Sequence, residues 1–427
     1  MSRAEMPGMV VTDHTFSLPL DHDNPTGETT EVFARVVVAP GRESEQLPFL
    51  VFLQGGPGHE SPRPPGTASW LPRALQDYRV LLLDQRGTGR STRLQARTLA
   101  AHAPQEQAHR LGLHRMDAIV SDCETIRTEL CGGEPWTVLG QSYGGFCATH
   151  YLSAAPEGLS AALITGGLPP LTAHPDDIYR QTYVRCREKN ASYYERYPKD
   201  VHAVRSIIDY LAEHEVQLPS GDPLTPRRFQ LLGLALGMSD GFESIHYLVE
   251  DAFVPGPNGP ELGFHFLTGV EHAQNYATNP LFSLLHEPIY CQGFASNWSA
   301  ERIRGEFPEF DPLRTDGPAL FTGEMIYPWM FEDFQQISPL RDAAHLLAAR
   351  TDWSTLYDPG RLEQNNVPVA AALYVDDMYV DRSFSLETAD IIRGARVWVT
   401  NQYEHNGLRA DGERILDRLL AMASGDA

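Results

Sequence analysis

Trp136-Thr137-Val138-Leu139-Gly140-Gln141-Ser142-Tyr143-Gly144-Gly145-Phe146-Cys147-Ala148-Thr149-His150-Tyr151-Leu152 decides how this chain is read. A short apolar run suited to a strand enters G-x-S-x-G at Gly140–Gly144, and a helix-compatible run leaves it. A sharp strand-to-helix turn forces its serine into a strained backbone, so the flanking positions must be small. The turn lifts the hydroxyl over the end of a sheet, beside the first amides of the helix. Ser142 is therefore the candidate nucleophile, although a glycine-rich turn alone is a weak signal.

The surrounding pattern fits such a turn. Strand-like runs occur at Val32–Val38, Phe49–Leu53, Tyr78–Leu83, Trp136–Leu139 and Ala161–Ile164, several of them separated by helix-length stretches. Short apolar runs bounded by Gly, Pro or Asp are the pattern of strands buried on both faces of a largely parallel sheet. From Leu171 to about Trp329 the chain reads as helical, aromatic and irregular. The strand pattern then returns at Val367–Val375 and Ala395–Val399. The expected architecture is an α/β domain of residues 1–170 and 330–427, with a helical cap inserted at 171–329.

A serine needs a base, and the base needs an orienting carboxylate. In this arrangement the chain order is Ser, acid, His, with each partner in the loop after a late strand. Asp376-Asp377 follows the strand ending at Val375, and His405 follows the strand ending at Val399. Asp377 is preferred to Asp376 as the acid. The loop Gln54-Gly55-Gly56-Pro57-Gly58 lets the backbone approach a developing oxyanion closely. Pro57 has no amide, so Gly56 and Tyr143 are the candidate donors.

Composition excludes other classes. The 427 residues are 42% hydrophobic and 21% charged, as in an ordinary globular protein. A net charge of −22 speaks against nucleic acid and anionic membranes as partners, and is compatible with a cationic substrate. Lys189 and Lys199 are the only lysines, which leaves lysine chemistry almost no candidates. The five cysteines form no C-x-x-C pair, so neither a disulfide framework nor a structural zinc site is expected. Met1–Pro7 lacks a basic region followed by an apolar core, and no run is long enough to span a bilayer. The expected location is the cytoplasm. Serine chemistry calls for no metal or cofactor, and no H-E-x-x-H is present.

The Gly55–Gly58 loop, the Asp84-Gln85-Arg86-Gly87-Thr88-Gly89 turn and the Gly140–Gly145 elbow together resemble the proline iminopeptidase family of α/β-hydrolase peptidases. Val375–Val380 and Glu404-His405-Asn406 resemble the acid and histidine loops of its larger-subunit branch. The similarity runs from about residue 10 to the C-terminus. Gln54 departs from the histidine that many relatives carry. The resemblance implies an α/β-hydrolase fold and release of an N-terminal residue, preferably proline, from short peptides with a free N-terminus. It also implies acids on the cap that hold the substrate ammonium. Candidates are Glu243, Glu250 and Glu287, the last in an apolar setting, with Glu404 beside the histidine. Trp329, in the cluster Tyr327-Pro328-Trp329-Met330-Phe331, is a candidate for the proline ring. An esterase or amidase with the same triad remains the alternative. A carboxylate-nucleophile hydrolase disagrees with Ser142, and a non-catalytic relative would not need all three triad residues.

Overall fold

The computed structural model describes residues 2–64, 69–257 and 259–426. Its main sheet has nine strands: β1 (Ser2–Met6), β2 (Met9–Pro19), β3 (Thr29–Val38), β4 (Phe49–Leu53), β5 (Arg79–Asp84), β6 (Trp136–Gln141), β7 (Leu159–Thr165), β10 (Val369–Tyr374) and β11 (Ala395–Thr400). A separate hairpin joins β8 (Phe253–Gly256) to β9 (Gly259–Leu262). The order in the main sheet is β1-β2-β3-β5-β4-β6-β7-β10-β11. The β1–β2, β2–β3 and β3–β5 pairs are antiparallel, and the rest are parallel.

Burial follows from position in this order. Every residue of β10 is buried, and its Val-Ala-Ala-Ala-Leu-Tyr sequence lets the helix Gly412–Ser424 pack closely on it. The helices Met116–Cys131 and Tyr143–Ala154 pack into one core cluster with Val51, Leu53, Val138 and Ile164. β11, at one edge, is partly covered or exposed at every residue but Thr400. β1 and β2 extend the opposite edge, where Thr12, Asp13 and His14 interrupt the apolar pattern and hide the strand from a periodicity reading.

Between β7 and β10 no described residue joins the main sheet. This stretch opens with the helices Pro175–Arg196 and Asp200–Glu213, carries the β8–β9 hairpin, and continues with short helices beyond Trp329. Two of its late helices, Arg341–Ala349 and Pro359–Glu363, pack on the helices Pro104–Gly112 and Tyr143–Ala154. No helix among the described residues is long and apolar enough to cross a membrane.

The glycines of the elbow are forced by close approach. A Cβ on Gly144 would lie 1.9 Å from the Leu53 carbonyl oxygen, and one on Gly140 would lie 2.4 Å from that of Gly144. Backbone cannot yield as a flexible side chain can. We expect Gly144→Ala to prevent accumulation of soluble protein. A soluble variant with an unchanged melting temperature would contradict this packing.

Candidate active site

Strand order reverses between β4 and β6, and that is where parallel sheets open a crevice at their carboxyl ends. Gln54-Gly55-Gly56 leaves β4 there, and Ser142 leaves β6. Both line a cavity of about 560 Å³ that His405 and Glu324 also reach.

Ser142 sits at φ 55°, ψ −126°, the only non-glycine residue at positive φ described in the sheet region. Its amide donates to the Thr165 carbonyl at 3.0 Å, and its own carbonyl accepts from Gly145 N at 2.7 Å. Tyr143 is the first residue of the following helix, so its amide has no acceptor within that helix. Its ring is buried beside Phe146, away from the cavity. Gly55 is pressed against the nucleophile: a Cβ there would come within 2.9 Å of the Ser142 Cβ. Gln85 of the Asp84–Gly89 turn donates to the Gln54 carbonyl at 3.0 Å and so braces this loop.

Asp377 and His405 meet over Gly166. His405 Nδ1 donates to Asp377 Oδ2 at 2.7 Å. Asp377 Oδ1 accepts from the amides of Tyr379 at 2.9 Å and Val380 at 3.1 Å. Asp376 is exposed. Burial works against a charged His405, but Asp377, its hydrogen bond, Glu324 and Glu404 together outweigh that and raise its pKa. With Nδ1 committed to Asp377, Nε2 is the nitrogen left to accept a proton.

Glu324 was not among the expected site residues. Its carboxylate faces the cavity with 16% of the side chain exposed, and among the described residues no donor lies within hydrogen-bond distance of it. The nearest basic group is His286 Nε2 at 4.0 Å, whose own pKa burial lowers to about 4. Burial pushes Glu324 up to about 7, with Asp377 adding to the rise and His405 opposing it. Among the described residues, the ionised Glu324 therefore has no hydrogen-bonded or charged partner.

The folded state therefore holds the Glu324 proton more tightly than the unfolded chain does. Stability contributed by this group is lost as pH rises from 4.5 to about 7. We expect Glu324→Gln to be more stable than the parent at about pH 8, by on the order of 2 kcal/mol, and to show no gain at about pH 4. Thermal unfolding at both pH values checks this.

The five expected substrate contacts lie elsewhere. Glu287 is 3% exposed and accepts from the amides of Ser299 at 3.1 Å and Ala300 at 2.9 Å, capping the helix Ser299–Arg304. Glu243 is held by Arg196 and by the Tyr197 hydroxyl on the surface of the insertion. Glu250 is exposed. Trp329 stacks on Tyr327 at 5.5 Å and lies under Arg227 at 4.6 Å, as part of the core. Glu404 is paired with Lys189. Tyr276, Phe282, Leu234 and Met238 supply the apolar wall of the cavity instead.

A mostly parallel sheet, a strained elbow serine and an acid–histidine pair on late-strand loops define an α/β-hydrolase, and residues 48–252 match the model of the alpha/beta hydrolase fold. The chain belongs to the proline iminopeptidase family. It is 48% identical over 416 residues to a proline iminopeptidase from Aeromonas sobria, covering 97% of each chain. It is 37% identical to one from Aspergillus aculeatus, covering 95% of this chain and 92% of that one. A crystal structure of a proline iminopeptidase from Mycobacterium smegmatis aligns over 97% of this chain and 99% of that one, with TM-score 0.46 and 15% identity.

Proposed function

We propose that this protein is a serine aminopeptidase that releases N-terminal proline from short peptides through an acyl-enzyme. The observation that carries the reading is the unpartnered Glu324 carboxylate in the same cavity as Ser142 and His405. An N-terminal nitrogen stands two bonds from the carbonyl carbon under attack. The acid that reads it must share the nucleophile's cavity, which Glu324 does and Glu243 and Glu250 do not. The prolyl nitrogen, when charged, offers two N–H donors and brings the cation that Glu324 lacks. Its ring packs against Tyr276, Phe282 and Leu234.

In this reading His405 Nε2 takes the Ser142 proton while Asp377 holds the imidazole. Ser142 Oγ attacks the prolyl carbonyl, and the amides of Gly56 and Tyr143 stabilise the oxyanion. His405 then protonates the leaving amine. Water, deprotonated by the same histidine, releases proline. The insertion at 171–329 acts as the specificity cap by supplying Glu324. Five unpaired cysteines agree with a reducing cytoplasmic location.

A panel of aminoacyl aryl-amides tests the assignment. Proline amide should exceed alanine and leucine amides by at least about tenfold in kcat/KM, because one misfitting side chain costs roughly 1–3 kcal/mol. Equal rates across the panel would refute proline selectivity.

A further inference from the structure

The helix Pro175–Arg196 touches both loops that carry the acid and the base. Arg185 Nε donates to Asp381 Oδ2 at 2.7 Å, and Lys189 Nζ donates to both carboxylate oxygens of Glu404 at 2.6 Å. Residues four apart share one face of a helix, so these two cations form a single contact surface. Asp381 lies four residues after Asp377, and Glu404 directly precedes His405. The contacts are sheltered: side-chain exposure is 9% for Lys189 and 6% for Asp381. Neither cation reaches the catalytic cavity.

We propose that Lys189, supported by Arg185, is a positioning residue that fixes the His405 loop and cancels the Glu404 charge beside the catalytic base. This rests on the triad reading above. One of only two lysines in the chain is spent on this contact, and Lys189 and Glu404 are both partly removed from water. The charges acting on His405 come from every neighbouring element. They are Asp377 on the acid loop, Glu324 from the insertion, and Glu404 on its own loop, while the exposed Asp376 acts on Glu404. The Tyr379 ring lies edge-on at 4.6 Å. Lys189 is the cation of this set. The His405 amide is meanwhile tied to the Gly237 carbonyl, and Asn406 to Ser239, so the insertion grips the loop on a second side.

Opposite charges make opposite predictions. Lys189→Met leaves Glu404 uncompensated, favours the imidazolium and moves the acid limb of reactivity up by about half a pH unit. Glu404→Gln leaves the Lys189 cation uncompensated and moves it down by a similar amount. The double variant returns close to the parent, and Lys189→Arg keeps the parent limb. Loosening the loop in Lys189→Met also lowers the plateau rate roughly three- to tenfold.

The readout is the rate at which an uncharged aryl phosphonate labels Ser142 as a function of pH, with the site located by mass spectrometry. This probe has no amine and so bypasses the amine-binding part of Glu324's role. Thermal unfolding of each variant separates loss of fold from loss of reactivity. Opposite shifts in the two single variants, cancelling in the double, support the brace. Normal labelling of the parent with unshifted variants, or shifts in the same direction, overturns the brace and leaves the triad standing. Failure of the parent to label at Ser142 overturns the triad reading and the brace with it.

Discussion

Ser142→Ala and His405→Ala should each lower kcat/KM for a proline aryl-amide by roughly ten-thousand- to a million-fold, with melting temperature little changed. Both side chains line the cavity, on loops that leave the sheet rather than within a strand. The double variant should fall within about threefold of either single one, because nucleophile and base act as a unit. Asp377→Asn should cost roughly ten-thousand-fold, since the amide no longer enforces the Nδ1–H tautomer. Asp376→Asn, at an exposed position, should remain close to the parent. Steady-state kinetics on the five proteins check the set. Substantial turnover in Asp377→Asn, with loss in Asp376→Asn, would reverse the choice of acid.

The second large effect concerns the substrate amine. Glu324→Gln should lower kcat/KM for a proline aryl-amide tenfold to a hundredfold per lost contact. Hydrogen bonds to charged groups are worth about 1.5–3 kcal/mol, and about 1.4 kcal/mol is one decade. N-acetylproline amide should be a correspondingly poor substrate of the parent, while an uncharged aryl acetate should respond little to Glu324→Gln. The pH profile follows from the two raised groups. His405 must be neutral to act as base, and its pKa lies above the ordinary 6.5. Glu324 must be ionised to hold the ammonium, and its pKa is about 7. Both requirements fail on acidification, so amide turnover should rise steeply through neutrality. It should fall again when the substrate nitrogen deprotonates at alkaline pH. In Glu324→Gln the acid limb should become shallower, because one of its two groups is gone. An unchanged limb would contradict this role.

The elbow, the α/β alternation around it and the loops that carry Asp377 and His405 were legible because each depends on local pattern. Glycine spacing at 140–145, apolar runs at Phe49–Leu53 and Val367–Val375, and loops after late strands all lie within a few residues. The acid proposed to bind the amine was not legible for a physical reason. Glu287 in Leu284-Leu285-His286-Glu287-Pro288-Ile289 and Glu324 in Phe321-Thr322-Gly323-Glu324-Met325-Ile326 give the same signal, an acid in an apolar run. What separates them is distant. Glu287 accepts amides 12 and 13 residues away, whereas Glu324 has no such donor among the described residues and lines the nucleophile's cavity. Glu404 shows the same difficulty, because its partner Lys189 lies 215 residues earlier. Trp329 was drawn toward the substrate by its aromatic neighbours, yet Tyr327 stacks on it and it is buried in the core.

Trapping the covalent intermediate decides whether Ser142 carries the acyl group. The parent enzyme is mixed with a prolyl aryl ester, quenched in acid during turnover, digested and analysed by mass spectrometry. A mass increase of one prolyl residue is expected on the peptide containing Ser142, absent from Ser142→Ala. A fully active enzyme that never carries the prolyl group, or that carries it on another residue, would contradict that role for Ser142.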